Sequence, residues 1–183
     1  MRPLIILAAT LLISACSTQP ISRSTYLLRS DRGLETRAMQ ATSDLFLGEV
    51  MVASYVDQPG LVLEQEAGQI HTAQYHQWAE PLRVSLRQFF NTEISAGLGA
   101  DLALSRIGQE HARRVDVKID QLHGDADGNA VLVAYWSLTQ DGKTTEYQYT
   151  RRLPLPEAGY EALVAAEKRL LVDFAQSIAR DLK

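Results

Sequence analysis

The chain has 183 residues, 46% of them apolar, with 18 basic and 22 acidic side chains and a formal charge of −4. That length is one domain's worth, with enough apolar material for a proper core. The acidic balance argues against a nucleic-acid partner, which calls for a basic surface, and a lone cysteine, Cys16, excludes any disulfide within the chain.

The first twenty residues account for that cysteine. Arg2 gives a short positive start, and residues 4–13 are apolar apart from Thr10. The run is too short for a bilayer span, which needs ~20 apolar residues, but it has the length of a signal-peptide core closed by Ser14 and Ala15. Ile13-Ser14-Ala15-Cys16 resembles a bacterial lipobox, with isoleucine where leucine is commonest. Cleavage is therefore expected between Ala15 and Cys16, with lipid on the Cys16 sulfur and on the freed amino group. The alternative is a short buried helix with an incidental cysteine. It ignores the agreement of charge, apolar length, small residues and thiol. One acyl chain holds a protein only reversibly, and several hold it almost permanently. By resemblance to the sorting rule of enterobacterial lipoproteins, where aspartate after the cysteine retains the protein in the inner membrane, Ser17 implies the outer membrane.

Residues 1–15 thus read as a cleaved signal peptide, residues 16–24 as the lipidated cysteine and a flexible tether, and residues 25–183 as one domain. The mature chain carries 17 basic and 22 acidic side chains, a net of −5. No later segment is apolar enough to span a membrane.

Within the domain, residues 26–29 read as a short strand and residues 34–43 as loop. Residues 45–54 are a strand, with Gly48 a candidate bulge. Asp57, Gln58, Pro59 and Gly60 signal a turn. Residues 61–63 and 69–75 are short strands either side of Ala67-Gly68. A first long helix is expected over residues 78–98. Trp78, Leu82, Leu86, Phe89, Phe90, Ile94 and Leu98 recur at helical spacing, Pro81 sits in the first turn, and Gly97 and Gly99 mark the end. Trp78 is read as a packing residue at its start. Residues 102–107 are a short strand candidate.

Val115, Val117 and Ile119 alternate with charged residues, giving a strand with one wet face. Residues 124–129 are a turn. Residues 131–139 look apolar on both faces, which predicts a central strand with at least part of a helix on each face. Asp141-Gly142 is a two-residue hairpin signal that sets Trp136 opposite Tyr147 and Ala134 opposite Tyr149. Pro154 and Pro156 stop the strand. A second long helix spans residues 159–182, with Tyr160, Leu163, Val164, Leu170, Leu171, Phe174, Ile178 and Leu182 on its apolar face. The fold class is α/β: a single domain with a mixed β-sheet of about seven strands and two long amphipathic helices.

No residue pattern calls for catalysis. His71, His76, His111 and His123 form no metal-ligand spacing, since His71 and His76, five apart on a strand, point to opposite faces. Gly97-Leu98-Gly99 lacks a third glycine and follows a helix. Asp125 and Asp127 lack the distal glutamate of a calcium loop. Ser85 and Asp101 are tied to no histidine. Glu64 and Glu66 read as a solvated turn. Trp136, Tyr147 and Tyr149 share a sheet face, and core packing under a helix is favoured over a ligand groove. No metal and no cofactor is expected beyond covalent lipid on Cys16.

Four segments then stand in a telling order: "STYLLRS", "VMVASYVDQPGLVLEQEAGQIHTAQYHQWAEPL", "VLVAYWSL" and "YEALVAAEKRLLVDFAQSIARDL". Together they resemble the PqiC-type auxiliary lipoproteins of ABC-type transport systems, over about residues 25–182. The most specific part is Tyr55-Val56-Asp57-Gln58-Pro59 followed by Tyr75, Trp78, Ala79, Glu80, Pro81 and Leu82. Val56 stands where leucine is usual, and Gly60-Leu61 where a polar then aliphatic pair is common. The resemblance implies a non-enzymatic outer-membrane lipoprotein facing the periplasm. It implies an MCE-domain partner reaching across from the inner membrane, phospholipid transport that supports envelope integrity, and assembly as a ring of copies. A structural lipoprotein binding an outer-membrane barrel protein or the cell wall is the alternative. Tyr55, Val56, Pro59 and Leu61, apolar residues in a turn, either pack back onto the domain or belong to a partner interface.

Overall fold

A computed structural model describes residues 22–34, 44–103 and 113–183, the side chains of residues 33 and 34 excepted. Residues 1–21, 35–43 and 104–112 lie outside the described residues. With them lie Ala15, Cys16, His111, most of the expected 34–43 loop and all but two residues of the 102–107 strand.

Seven strands form one mixed sheet. They are β1 (Ser24–Tyr26), β2 (Leu45–Val52), β3 (Gly60–Glu64), β4 (Ile70–Trp78), β5 (Arg113–Gly124), β6 (Asn129–Gln140) and β7 (Lys143–Pro154). The helices are α1 (Leu82–Leu98) and α2 (Tyr160–Asp181). The order across the sheet is β1-β4-β3-β5-β6-β7, and β2 also pairs with β5. β5 therefore carries two parallel partners on one edge. β2 lies along residues 113–119, and β3 meets β5 at the Leu63–Gly124 pair. The segment between β2 and β3 has to leave the sheet, and this creates the turn described below. The β2 ladder shifts register between Leu47 and Val50, around Gly48, as expected of a bulge.

The β6–β7 hairpin has the register its turn dictates. Asp141 and Gly142 both have positive φ, 51° and 73°, the type I′ geometry that matches strand twist. Trp136 faces Tyr147, and Ala134 faces Tyr149. On the same face lie Val117, Ile119 and Leu122 of β5, and Leu47, Val50 and Val52 of β2. These residues, with Leu86, Phe89, Phe90 and Ile94 of α1 and Leu163, Leu170, Leu171, Phe174 and Ile178 of α2, make one continuous buried core. Phe90 meets Phe174 edge-on at 5.7 Å between centroids, so the two helices pack on each other.

Both helices therefore cover the same face, and the expectation of helix on each face is corrected. The outward row of β6 is Val131, Val133, Tyr135 and Ser137, and of these only Val131 is buried. The strand alternates once its register is known, so one apolar face is enough.

Trp78 is also corrected. It is the last residue of β4, paired with Tyr26 of β1, not the first turn of a helix. The cause is Pro81. Proline disfavours helical backbone at the residue before it, and Pro81 itself is extended (φ −52°, ψ 124°) as the cap before α1. At the other end Gly99 stops the helix in the left-handed region (φ 75°), donating its N–H to the Ser95 carbonyl at 2.9 Å. Only Tyr26 of the expected 26–29 strand pairs. Of the expected 102–107 strand, the described part is a single bridge from Ala103 to Phe46.

Candidate functional site

Residues 53–59 form the excursion between β2 and β3. The Ala53 N–H keeps a last sheet bond to the Ile119 carbonyl (2.9 Å), and the N–H groups of Val56 and Asp57 turn back onto the Ala53 carbonyl at 2.9 and 3.0 Å. The Gln58 side-chain amide donates to the Tyr55 carbonyl and, at 3.0 Å, to the Thr72 hydroxyl. The Pro59 carbonyl accepts the Trp78 N–H at 2.7 Å. Gly60 then re-enters the sheet against β4, so closely that a Cβ there would lie 2.3 Å from the Ala73 carbonyl oxygen. Any side chain at that place displaces backbone, which is why glycine follows the proline.

The excursion and the β4–α1 corner enclose a cleft of about 400 Å³, lined by Asp57, Gln58, Pro59, Trp78, Ala79, Glu80, Pro81 and Leu82. Its floor is apolar, because Trp78 is 7% exposed and Leu82 is buried. Its rim is charged and paired. Arg83 holds Asp57 at 2.6 Å. Arg29 forks onto both oxygens of Glu80 at 2.7 and 2.6 Å, and Ser85 donates to Glu80 at 3.1 Å. The bonds from Arg29 and then Ser85 keep the Glu80 carboxyl below its usual range. An apolar floor within a fixed polar rim is a binding arrangement.

Of the four residues considered for a partner interface, Val56 and Leu61 are buried in the core, Tyr55 is half-buried and Pro59 is exposed. In the isolated chain the exposed residues of this turn are Ser54 and Pro59, and Asp57 is half-buried like Tyr55. Tyr55 lies over the buried imidazole of His123, 6.5 Å between ring centroids. Burial, then the charges of Asp120 and Glu64, push its hydroxyl up to about 12. Glu64 lies 3.7 Å from His123 and is half-buried, while Glu66 is exposed. A second, shallower groove of about 280 Å³ lies on the open sheet face among Met51, Asp116, Lys118, Tyr135 and Glu146.

The other singled-out residues have structural places. His76 stacks on Tyr160 at 4.1 Å, and His71 is exposed. Ser85 is buried and bonded to Glu80 and Arg29, and Asp101 is buried. Asp125 caps its turn by accepting from Asp127 and Asn129. Trp136 stacks on Tyr147 at 4.0 Å and Tyr149 meets Phe174 at 5.0 Å, so Trp136 is core and the two tyrosines pack half-buried against it. Among the described residues no group of three or more His, Cys, Asp or Glu is placed to hold a metal. No helix there is long and apolar enough to cross a membrane.

Residues 26–179, nearly the whole of this fold, match the family model described as ABC-type transport auxiliary lipoprotein component. The chain belongs to that family. It is 23% identical over 184 residues to the intermembrane transport lipoprotein PqiC of Escherichia coli, covering 100% of this chain and 98% of that one. The PqiC of Shigella flexneri is similar to the same extent. The crystal structure of an uncharacterized protein, 23% identical, has a TM-score of 0.75 and covers 88% of this chain and 99% of its own. That of a Xanthomonas campestris protein, 14% identical, has a TM-score of 0.70 over 85% and 92%. Both share the family fold of two helices on one face of a mixed sheet.

Sequence reasoning missed the cleft's polar rim. Arg29 and Glu80 are 51 residues apart, and Asp57 and Arg83 are 26 apart. It also passed over Glu93 and Glu167, two buried acids inside apolar helix faces. Their signal was present, since each sits among the apolar positions of its stripe.

Proposed function

We propose that the chain is a non-enzymatic, lipid-anchored auxiliary subunit of an intermembrane transport system, held at the periplasmic face of the outer membrane by acyl chains on Cys16. There it docks the far end of an MCE-domain protein that carries phospholipid between the membranes. The observation that supports this most is the full-length likeness to PqiC joined to a lipobox that holds the one cysteine of the sequence. The cleft at Pro59 supplies the docking surface. Its tryptophan floor and fixed ion pairs are suited to an apolar anchor with polar flanks from the partner. Several copies in a ring would present several such clefts to one conduit.

The anchoring step is tested by metabolic labelling with a fatty-acid analogue and envelope fractionation. The wild type is expected to carry label and to band with the outer membrane. Cys16→Ala is expected to carry none and to persist as precursor. Equal label on both proteins rules out Cys16 as the anchor.

A further inference from the structure

Among the described residues six large apolar side chains are exposed, and half of them, Leu27 (55% exposed), Ile70 (41%) and Tyr75 (41%), lie in β4 or directly after β1; Met51 is in β2, Val84 in α1 and Tyr135 in β6, and the opposite edge strand, β7, has none. The β1–β4 edge is also where the chain enters the domain. The parallel register pairs Ser24 with His76, which brings the exposed Arg23 alongside Tyr75. The entry point is fixed although β1 has only three residues. The Tyr26 hydroxyl bonds His76 Nδ1 at 2.8 Å, and the His76 ring stacks on Tyr160. The Ala79 N–H reaches the Tyr26 carbonyl at 2.8 Å, and the Arg29–Glu80 fork follows directly. Seven residues separate Cys16 from Ser24, eight Cα steps that span at most ~28 Å of extended chain.

We infer that this edge rests on the phospholipid surface that holds the anchor. Leu27 and Tyr75 sit at the boundary of headgroups and acyl chains, and Arg23 lies on phosphate. The residue types suit that place. Tyrosine has an apolar body and a polar tip, arginine keeps its head in the wet layer, and leucine gains by leaving water. The occupant follows from the short tether, whose fixed origin on this edge keeps it nearest the bilayer. β7 and the 141–142 hairpin, five strands away, then face the periplasm. The inference rests on the anchoring reading above and adds an orientation to it.

The test uses the full, lipidated protein in vesicles of phosphatidylethanolamine and phosphatidylglycerol. Single cysteines (Leu27→Cys, Tyr75→Cys, Ile70→Cys and, as the distant site, Asp141→Cys) carry an environment-sensitive fluorophore, and spin-labelled lipid is the quencher. Leu27 and Tyr75 are exposed, and Ile70→Cys provides a second site in β4 should Tyr75→Cys not fold. Quenching at the edge sites is expected to exceed that at residue 141 by about threefold or more, because interfacial groups lie within 5–10 Å of the headgroup boundary. Equal quenching at all sites, on vesicle-bound protein whose Cys16 is acylated by mass spectrometry, overturns the orientation alone. Failure to float with the vesicles, with Cys16 unmodified, overturns the anchoring reading and this inference with it.

Discussion

Glu167 lies in the middle of the apolar stripe of α2, one helical repeat before Phe174, with 1% of its surface exposed and one carboxylate oxygen buried without a hydrogen-bond partner. Glu93 on α1 is as deeply buried but is held by the Ser30 hydroxyl and the Arg32 guanidinium. Among the described residues Glu167 has no such partner, and burial pushes its carboxyl up to about 8. The folded state therefore keeps a proton that the unfolded chain, titrating near 4.5, gives up. Its contribution to stability is full below the unfolded value, falls as pH rises through the window from 4.5 to 8, and is flat above it. Linkage puts the loss between pH 5 and pH 7 at about 2.5 kcal/mol. For a domain of this size that is ~5–10 °C in melting temperature. Glu167→Gln keeps the shape and removes the titration, so its stability across this window should be nearly level where the wild type declines. Equilibrium urea unfolding at steps from pH 5 to pH 8 reads the difference directly. Parallel curves for the two proteins would refute the buried, unpaired carboxylate and the cost assigned to it.

Trp78→Ala should cost about 3 kcal/mol, because it leaves a cavity under the cleft floor between β4 and α1. A fall in melting temperature measures it, and an unchanged value with lost partner binding reverses the packing role. Gly60→Ala should destabilise by ~1–3 kcal/mol, because the new methyl collides with the backbone of Ala73, and the same melts read it. His76→Ala should release β1 while the rest of the sheet stays intact. Amide exchange at residues 24–26 is expected to speed up about tenfold or more as local opening becomes easier, and unchanged exchange there refutes the pinning role of the ring stack.

How much of this was legible in the sequence depended on whether the cause was local. The β6–β7 register followed from two turn residues, and the end of α1 from Gly99, because backbone geometry is decided within a few positions. The start of α1 misled because Trp78 fits the helical spacing of Leu82 and Leu86, while the constraint that Pro81 puts on Glu80 outweighs spacing. The helix-covered face of the sheet was not legible. Residues 131–139 contain apolar side chains on both rows, and only pairing with β5 and β7 shows which row is buried. The placement of β2 and β3 end to end on one edge of β5 was equally hidden, since parallel partners leave no turn between them. At the cleft, Tyr55, Pro59 and Trp78 stood out as types in an unusual setting. Their ion-paired rim did not, because Arg29, Asp57, Glu80 and Arg83 are common residues until the fold brings them together.

The central claim, docking of a transport conduit at the cleft, is tested most directly by crosslinking in living cells. A photocrosslinking amino acid replaces the exposed Pro59, and the adducts are purified from envelope membranes and identified by mass spectrometry. The account predicts an adduct with an MCE-domain protein that is lost when Asp57→Arg reverses the charge at the rim. Adducts with an outer-membrane barrel protein or with cell-wall fragments in its place, insensitive to Asp57→Arg, would contradict it.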